Sequence, residues 1–128
     1  MRKEIISTEE APTAIGPYSQ AVRVGSLVFL SGQIPLDPKT GELAKGDAAE
    51  QTRRIMENLG AVLRAAGIGF SEVVRSTIYL TNLADFGKVN DVYGSYFPSE
   101  PPARATVGVA SLPRGASVEI DMIAHRGA

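Results

Sequence analysis

The fold is decided by the stretch Leu27-Val28-Phe29-Leu30-Ser31-Gly32-Gln33, which is apolar on both faces before it turns abruptly small and polar. Side chains alternate across a β-strand, so Val28 and Leu30 face one side while Leu27 and Phe29 face the other. A sheet that contains this strand has two apolar faces, and each of them needs a cover. The rest of the chain must therefore provide at least one layer of helices.

Two segments have the periodicity of helices that bury one face. Between residues 47 and 66 the apolar positions recur three and four residues apart, Asp47 is a suitable N-cap, and Gly67 follows where glycine commonly ends a helix. The stretch Asn82-Leu83-Ala84-Asp85 is predicted to cap a second helix that runs to about Phe97, where Pro98 stops it. These two helices are sufficient to cover one face of a sheet.

Six strands are predicted from apolar or alternating runs that are bounded by turn residues. They cover residues 4–7, 21–24, 27–33, 73–80, 104–110 and 117–125. Gly25-Ser26 predicts a two-residue hairpin turn between the second and third strands, and residues 112–115 predict another hairpin between the last two. The element order predicts an α+β fold in one domain, residues 1–128: a six-stranded, mostly antiparallel sheet with two helices packed on one face.

The second apolar face of this sheet has no predicted cover. Both helices are used on the first face, and no segment remains that is long enough to form another layer. Large uncovered apolar surfaces on soluble proteins mark sites of association. We therefore expect copies of the chain to associate through the open face.

Composition argues against several classes of function. The chain has 13 Lys and Arg against 14 Asp and Glu and no basic run, so nucleic acid and anionic membranes have little electrostatic attraction for it. It has no cysteine, and its one histidine, His125, does not suggest a hydrolytic triad. No apolar run approaches the roughly 18 residues of a transmembrane helix. We expect a soluble, cytoplasmic protein that uses no metal and no cofactor.

Arg104 is the one permanent charge in the small and apolar run Pro101–Val109. Its guanidinium has two interpretations: a solvated residue at a strand edge, or a fork aimed at a carboxylate. If the last two strands form a hairpin, matching their apolar faces places Arg104, Thr106 and Glu119 on one face of the sheet. A salt-bridged polar face is the simplest interpretation of this trio, but the small residues beside Arg104 leave room for a ligand.

Six motifs along nearly the whole chain resemble those of the RidA (YjgF) family of reactive-intermediate deaminases. They are Ile15-Gly16-Pro17-Tyr18-Ser19-Gln20-Ala21, Ser31-Gly32-Gln33-Ile34-Pro35, Asp37-Pro38-x-Thr40-Gly41, Val89-Asn90-x-Val92-Tyr93, Pro102-Ala103-Arg104-Ala105 and Val118-Glu119-Ile120. The resemblance implies a chorismate-mutase-like fold assembled as a homotrimer, with clefts between subunits. It also implies cofactor-independent hydrolysis of 2-aminoacrylate and related 2-imino acids to 2-keto acids and ammonia.

The resemblance assigns roles to individual residues. Arg104 holds the substrate carboxylate in a bidentate fork, and Glu119 orients or activates the attacking water. The cleft is lined by Tyr18, Ser31, Gly32, Asn90 and Thr106. Members of the family often carry Cys two residues after the arginine, where this chain has Thr106. A hydroxyl keeps a hydrogen-bonding group at that position, whereas a thiol-dependent role is not expected here.

Other interpretations of these residues remain open. Tyr18 also suits a core aromatic, and Asn90 suits a solvated position on a helix. Ser31 and Gly32 suit a strand end that another backbone approaches closely.

Two other functions also remain open. The same cleft can serve a non-catalytic sensor that binds keto acids or amino acids without turnover. An RNA-directed activity, as a translation inhibitor or ribonuclease, is a further alternative. It has little support from a net charge of -1.

Overall fold

The computed structural model describes residues 2–127 and contains one six-stranded sheet and two α-helices. The strands are β1 (Lys3–Ile6), β2 (Ala21–Val24), β3 (Leu27–Gln33), β4 (Val73–Leu80), β5 (Ala103–Gly108) and β6 (Val118–His125), and the helices are α1 (Ala48–Ala65) and α2 (Phe86–Gly94). The order across the sheet is β1-β2-β3-β6-β4-β5. The β4–β5 pair is parallel and the other neighbours are antiparallel. The predicted α+β fold is confirmed.

Helix α1 begins and ends where its local chemistry requires. The Asp47 carboxylate accepts a hydrogen bond from the backbone N–H of Glu50 at 3.1 Å, which caps the first turn. At the other end Gly67 adopts a φ of 79°, and the backbone N–H of Ile68 donates to the carbonyl of Leu63. This left-handed ending suits glycine. The helix predicted between residues 47 and 66 is confirmed.

The core lies between α1 and the middle of the sheet. Its almost completely buried side chains from α1, β4 and β6 are Ile55, Met56, Leu59, Val62, Leu63, Ile78, Leu80, Val118, Ile120 and Met122. Each contributes about 1.5–3 kcal/mol by leaving water. This burial fixes which face of each strand is turned towards the helices, and therefore where the polar residues of the strands point.

The opposite face of the sheet is left open within residues 2–127. Leu27 and Phe29 are 38% and 42% exposed, whereas Val28 on the other side of the same strand is 0% exposed. Ile5 on the edge strand β1 and Val107 on the edge strand β5 are also exposed, so apolar surface reaches both edges of the sheet. The open apolar face that the sequence predicts is confirmed.

The predicted hairpin between the last two strands is wrong. Strand β6 lies between β3 and β4, while β5 lies on the outer side of β4 and runs parallel to it. Helix α2 connects β4 to β5, and a parallel neighbour requires such a crossover. Residues 109–117 then carry the chain past the end of β4. A turn signal at residues 112–115 cannot reveal that another strand lies between the two that it joins.

The corrected neighbours place Arg104 and Glu119 on opposite faces, against the prediction that they share one. Ile78 is a core residue and pairs with Thr106, so Thr106 and Arg104 are turned towards the helix side. Tyr79, one residue further, pairs with Glu119, which therefore lies on the open side. Matching apolar faces failed because the helix-side positions of the edge strand β5 are its polar ones.

Helix α2 is shorter than predicted. It ends at Gly94 rather than near Phe97, and a 3₁₀ turn at Leu83–Asp85 precedes it. Asn82 caps that turn, since its side-chain oxygen accepts a hydrogen bond from the backbone N–H of Ala84 at 3.0 Å. In the described part of the chain, no helix has both the length and the apolar character needed to span a membrane.

Candidate active site

The predicted site residues form two groups, which one chain does not bring together. The arginine group, where β5 meets α2, consists of Arg104, Asn90 and Thr106. The glutamate group, around β3 and β6, consists of Glu119, Gly32, Ser31 and Tyr18. The groups are separate because Arg104 faces the helix side of the sheet and Glu119 faces the open side.

Arg104 is exposed but held in a defined position. Its Nη1 donates a hydrogen bond to the side-chain oxygen of Asn90 at 2.7 Å. Its guanidinium carbon lies 5.4 Å from the ring centroid of Phe86 and 5.2 Å from that of Tyr93, distances typical of cation–π contacts. The bond to Asn90 engages one of five N–H donors, so the fork retains donors for a carboxylate.

Phe86 and Tyr93 are functional candidates that sequence reasoning missed. Phe86, Asn90 and Tyr93 are spaced four and three residues apart, so they lie on one face of α2. The Tyr93 hydroxyl donates to the Ser76 hydroxyl oxygen at 2.9 Å, which fixes its ring from behind. This spacing is the signal in the sequence that the two rings and Asn90 share one face of the helix, whereas their contact with Arg104 follows only from the fold.

A pocket of about 430 Å³ lies beside Arg104. Its other walls include Tyr93 and Phe97 as well as Pro101 and Pro102. The two prolines restrict the backbone that leads into β5, so the chain presets where Arg104 points. The pocket can therefore accept a small molecule whose carboxylate faces the guanidinium.

Thr106 lies on the same face of β5 as Arg104, two residues further along. Its Oγ1 is buried and has no hydrogen-bond partner among residues 2–127. Leaving a buried hydroxyl unsatisfied costs about 1–3 kcal/mol. A ligand or a neighbouring chain that offers a polar atom here would recover that cost.

Glu119 lies beside an irregularity in β3. The register between β3 and β6 shifts by one residue between Leu30 and Gln33, so Ser31 and Gly32 form a β-bulge. A Cβ atom at Gly32 would overlap the Glu119 carboxylate and lie 3.0 Å from its Cδ. The absence of a side chain at Gly32 is therefore what gives the carboxylate its place.

The loop that carries Tyr18 is attached to the same bulge. The backbone N–H of Ser31 donates to the Gln20 carbonyl at 3.0 Å, and the Ser31 hydroxyl donates to the Ser19 carbonyl at 2.6 Å. The buried side-chain amide of Gln20 ties the loop to backbone atoms of residues 8–12. Tyr18 is 53% exposed and lines a pocket with Gly32, so it is not a core aromatic.

The environment of Glu119 changes its acidity. Burial raises the pKa of the Glu119 carboxyl, and the charge of Asp121 raises it further. Asp121 itself accepts a hydrogen bond from the Tyr79 hydroxyl at 3.0 Å. A raised pKa moves a carboxylate towards the range in which a general base is effective at neutral pH.

Comparisons with known proteins match this chain over almost its whole length. A sequence model of the family described as endoribonuclease L-PSP matches residues 8–126. Protein DfrA of Myxococcus xanthus is 61% identical over 126 residues, which span 97% of this chain and 96% of that protein. The 2-iminobutanoate/2-iminopropanoate deaminase of Mus musculus is 49% identical over 125 residues, 98% of this chain and 93% of that protein. The crystal structure of E. coli TdcF with bound serine has a TM-score of 0.93 at 43% identity, covering 97% of this chain and 99% of that one.

The open mixed sheet with two helices, together with these matches over almost the whole chain, defines a class of small α+β proteins. The chain belongs to the endoribonuclease L-PSP family, which is also the YjgF/RidA family. The resemblance inferred from the six motifs is confirmed. Deaminase activity is present in this family, since a relative at 49% identity is named for it.

Proposed function

We propose that this protein is a cofactor-independent deaminase that hydrolyses 2-imino acids, including those derived from 2-aminoacrylate, to 2-keto acids and ammonia. The observation that carries the proposal is the complementarity of the two groups. One group offers a positioned guanidinium with donors to spare, and the other offers a carboxylate of raised pKa beside a pocket. The name of the mouse relative supports the reaction, and the serine bound to TdcF supports a small ligand with a carboxylate.

Arg104 binds and orients the substrate. Its guanidinium accommodates the substrate carboxylate in two parallel N–H···O bonds, while Asn90 and the rings of Phe86 and Tyr93 hold it before the substrate arrives. Charge-assisted hydrogen bonds of this kind contribute about 1.5–3 kcal/mol each. Orientation of this kind brings the imine carbon to the attacking water.

Glu119 acts on the water. The imine reacts in its protonated form. As the water oxygen bonds to the C=N carbon, the Glu119 carboxylate takes one water proton and the C=N electron pair moves to nitrogen, which gives a neutral carbinolamine. Glu119 then gives its proton to the nitrogen, which leaves as ammonia when the C–N bond breaks. The hydroxyl oxygen forms the new C=O, and its proton returns to Glu119 and from there to the ammonia. One protonated imine and one water give one keto acid and one ammonium ion. The carbon of a protonated imine is already electrophilic, so a single carboxylate is enough to activate the water.

A complete site contains groups from two copies of the chain. Because Arg104 and Glu119 face opposite sides of the sheet, the arginine group of one subunit meets the glutamate group of its neighbour. The open apolar face around Leu27 and Phe29 supplies surface for this association. Such a contact joins two different surfaces of the subunit, and its repetition around a rotation axis closes a ring of subunits. The homotrimer implied by the family resemblance then has three shared clefts.

Mixing two inactive variants tests the shared cleft. We expect Arg104→Ala and Glu119→Gln to be nearly inactive when each is refolded alone. When they are unfolded and refolded together in equal amounts, random assembly into trimers gives about a quarter of all clefts both intact groups. Activity should therefore recover to about that fraction of the wild-type value. Mixed trimers that are verified by mass but stay inactive would contradict the shared cleft.

The pH dependence tests the role of Glu119. Asp121→Asn removes a charge that raises the pKa of Glu119, so that pKa should fall. Activity is lost as pH falls through the pKa of a general base, so the acid limb of kcat/KM should move to lower pH in the variant. Folding gives a second readout, because a raised carboxyl pKa costs stability as pH rises above 4.5 through the raised value. This loss of folding stability with rising pH should be smaller in Asp121→Asn. An unmoved acid limb argues against Glu119 as the base.

Turnover separates the deaminase from a sensor that only binds. An amino-acid oxidase acting on 2-aminobutanoate generates 2-iminobutanoate, whose disappearance is followed with and without the protein. We expect acceleration above the uncatalysed rate, with equal amounts of ammonia and keto acid formed. Binding of a keto acid without any acceleration would make the protein a sensor instead.

A further inference from the structure

A second arginine, Arg114, lies at the pocket of the glutamate group. This pocket has a volume of about 280 Å³ and is lined by Tyr18, Gly32 and Arg114 as well as by apolar side chains such as Ile15 and Ile34. Gly32 borders the Glu119 carboxylate, so the pocket opens beside the group that acts on water. A substrate whose imine carbon lies near that carboxylate can extend its side chain into this pocket.

The backbone at Arg114 is strained. Its φ is 59°, in the left-handed region, within the short turn Pro113–Gly115. A residue with a Cβ pays about 1–2 kcal/mol for that conformation, which glycine and asparagine adopt more readily. The Arg114 Nη1 donates to the Gly41 carbonyl at 3.0 Å, which holds the guanidinium in place at the pocket. Strain beside a pocket points to a function for the side chain.

Arg114 forms no ion pair within residues 2–127, where the ion pairs join Arg23 to Glu4 and Lys88 to Asp47. No acidic residue is among those that line its pocket. A cation at the wall of a largely apolar pocket attracts a ligand that has a short apolar chain and an anionic end. The anion would add a charge-assisted bond to the guanidinium.

We propose that Arg114 is a specificity-determining residue that favours 2-imino acids whose side chain ends in a carboxylate. This preference rests on the proposed function: Arg104 of one subunit holds the carboxylate next to the imine carbon, and Arg114 of its neighbour holds the distal one. A five-carbon imino diacid, 2-iminoglutarate, represents this class. The four-carbon 2-iminobutanoate has no distal charge and is the matched comparison.

The variant Arg114→Asn tests the preference. Asparagine tolerates a positive φ, so the variant should unfold at the same temperature as the wild type or higher. We expect kcat/KM for 2-iminoglutarate to fall about tenfold, while that for 2-iminobutanoate changes by less than about twofold. Arg53→Asn removes an exposed cation on α1 and should change neither value. Equal effects of Arg114→Asn on the two imines, or no effect on either, would overturn the proposal.

A failure of the proposed deaminase function can be distinguished from a failure of the proposed role of Arg114. A wild-type protein that accelerates neither imine is not a deaminase, and calorimetry with the two keto acids then tests Arg114 alone. Tighter binding of 2-oxoglutarate than of 2-oxobutanoate by about tenfold, lost in Arg114→Asn, would support the role of Arg114. Equal affinities in the wild type would refute it.

Discussion

Replacing Arg104 with alanine is expected to lower kcat/KM for a 2-imino acid by about 10²–10³-fold, equivalent to roughly 3–4 kcal/mol. The variant loses the charge-assisted bonds to the substrate carboxylate, and with them the orientation of the imine carbon towards the water. Stability should change little, because Arg104 is exposed on an edge strand. Kinetics on 2-iminobutanoate together with a thermal unfolding curve distinguish the two effects.

Two further variants show whether the fork itself is responsible. Arg104→Lys keeps the charge but loses the planar fork that stacks against Phe86 and Tyr93, so it should recover only part of the activity. Thr106→Ala removes the unpaired hydroxyl on the same face and should cost less than about tenfold, since at most one hydrogen bond is lost. Near wild-type turnover in Arg104→Ala would contradict the proposed role of Arg104 in binding the substrate carboxylate. A large loss of turnover in Thr106→Ala alone would mean that the site has been assigned to the wrong residues.

Local chemistry predicted the elements of the fold well. Helix α1 follows from its apolar spacing, the capping carboxylate of Asp47 and the glycine at position 67, all of which are contained within one segment. The open face follows from β3, where Leu27 and Phe29 are apolar although the helices cover only the other side. Both predictions rest on the type and spacing of residues within a single segment. Such patterns can be read directly from a sequence.

The neighbours of each strand were not predictable in this way. Alternation shows which residues share a face within one strand, but it does not show which strand lies alongside. Strand β6 inserts between β3 and β4 because all three have apolar helix-side residues, whereas β5 offers Arg104 and Thr106 on that side and stays at the edge. The error about one hairpin put Arg104 and Glu119 on the same face. Its correction is what leads to the proposal that the site is shared between subunits.

The residues of the candidate site were visible in the sequence to different degrees. Arg104 stood out as a lone charge, and the motifs supplied Glu119 and its companions. Arg114 did not stand out, because its positive φ and its place at the pocket of Tyr18 arise from the fold of three separate segments. The motifs also supplied Gly32 as a cleft residue, but they did not show that it makes room for Glu119, since only the bulge brings the two together.

Replacing Gly32 with alanine is expected to lower kcat/KM about as much as Glu119→Gln, by about 10²-fold, because both changes remove the proposed general base from its place. The new Cβ would overlap the Glu119 carboxylate, which must swing away. The atoms that the new Cβ would meet belong to the flexible end of the Glu119 side chain, and the φ of Gly32 is not positive. The backbone can therefore accommodate alanine without rearranging. The loss should therefore appear in catalysis, with little change in the unfolding temperature.

A matched glycine shows whether the effect belongs to the carboxylate. At Gly69 the nearest atom to an added Cβ would be Oε1 of Glu72 at 3.8 Å, so Gly69→Ala should retain both activity and stability. Combining Gly32→Ala with Glu119→Gln should cost little more than either change alone, because both remove the same group from the same water. Additive losses in the double variant would mean that Gly32 serves the substrate directly. Full activity in Gly32→Ala would mean that the position of the Glu119 carboxylate does not matter for the reaction.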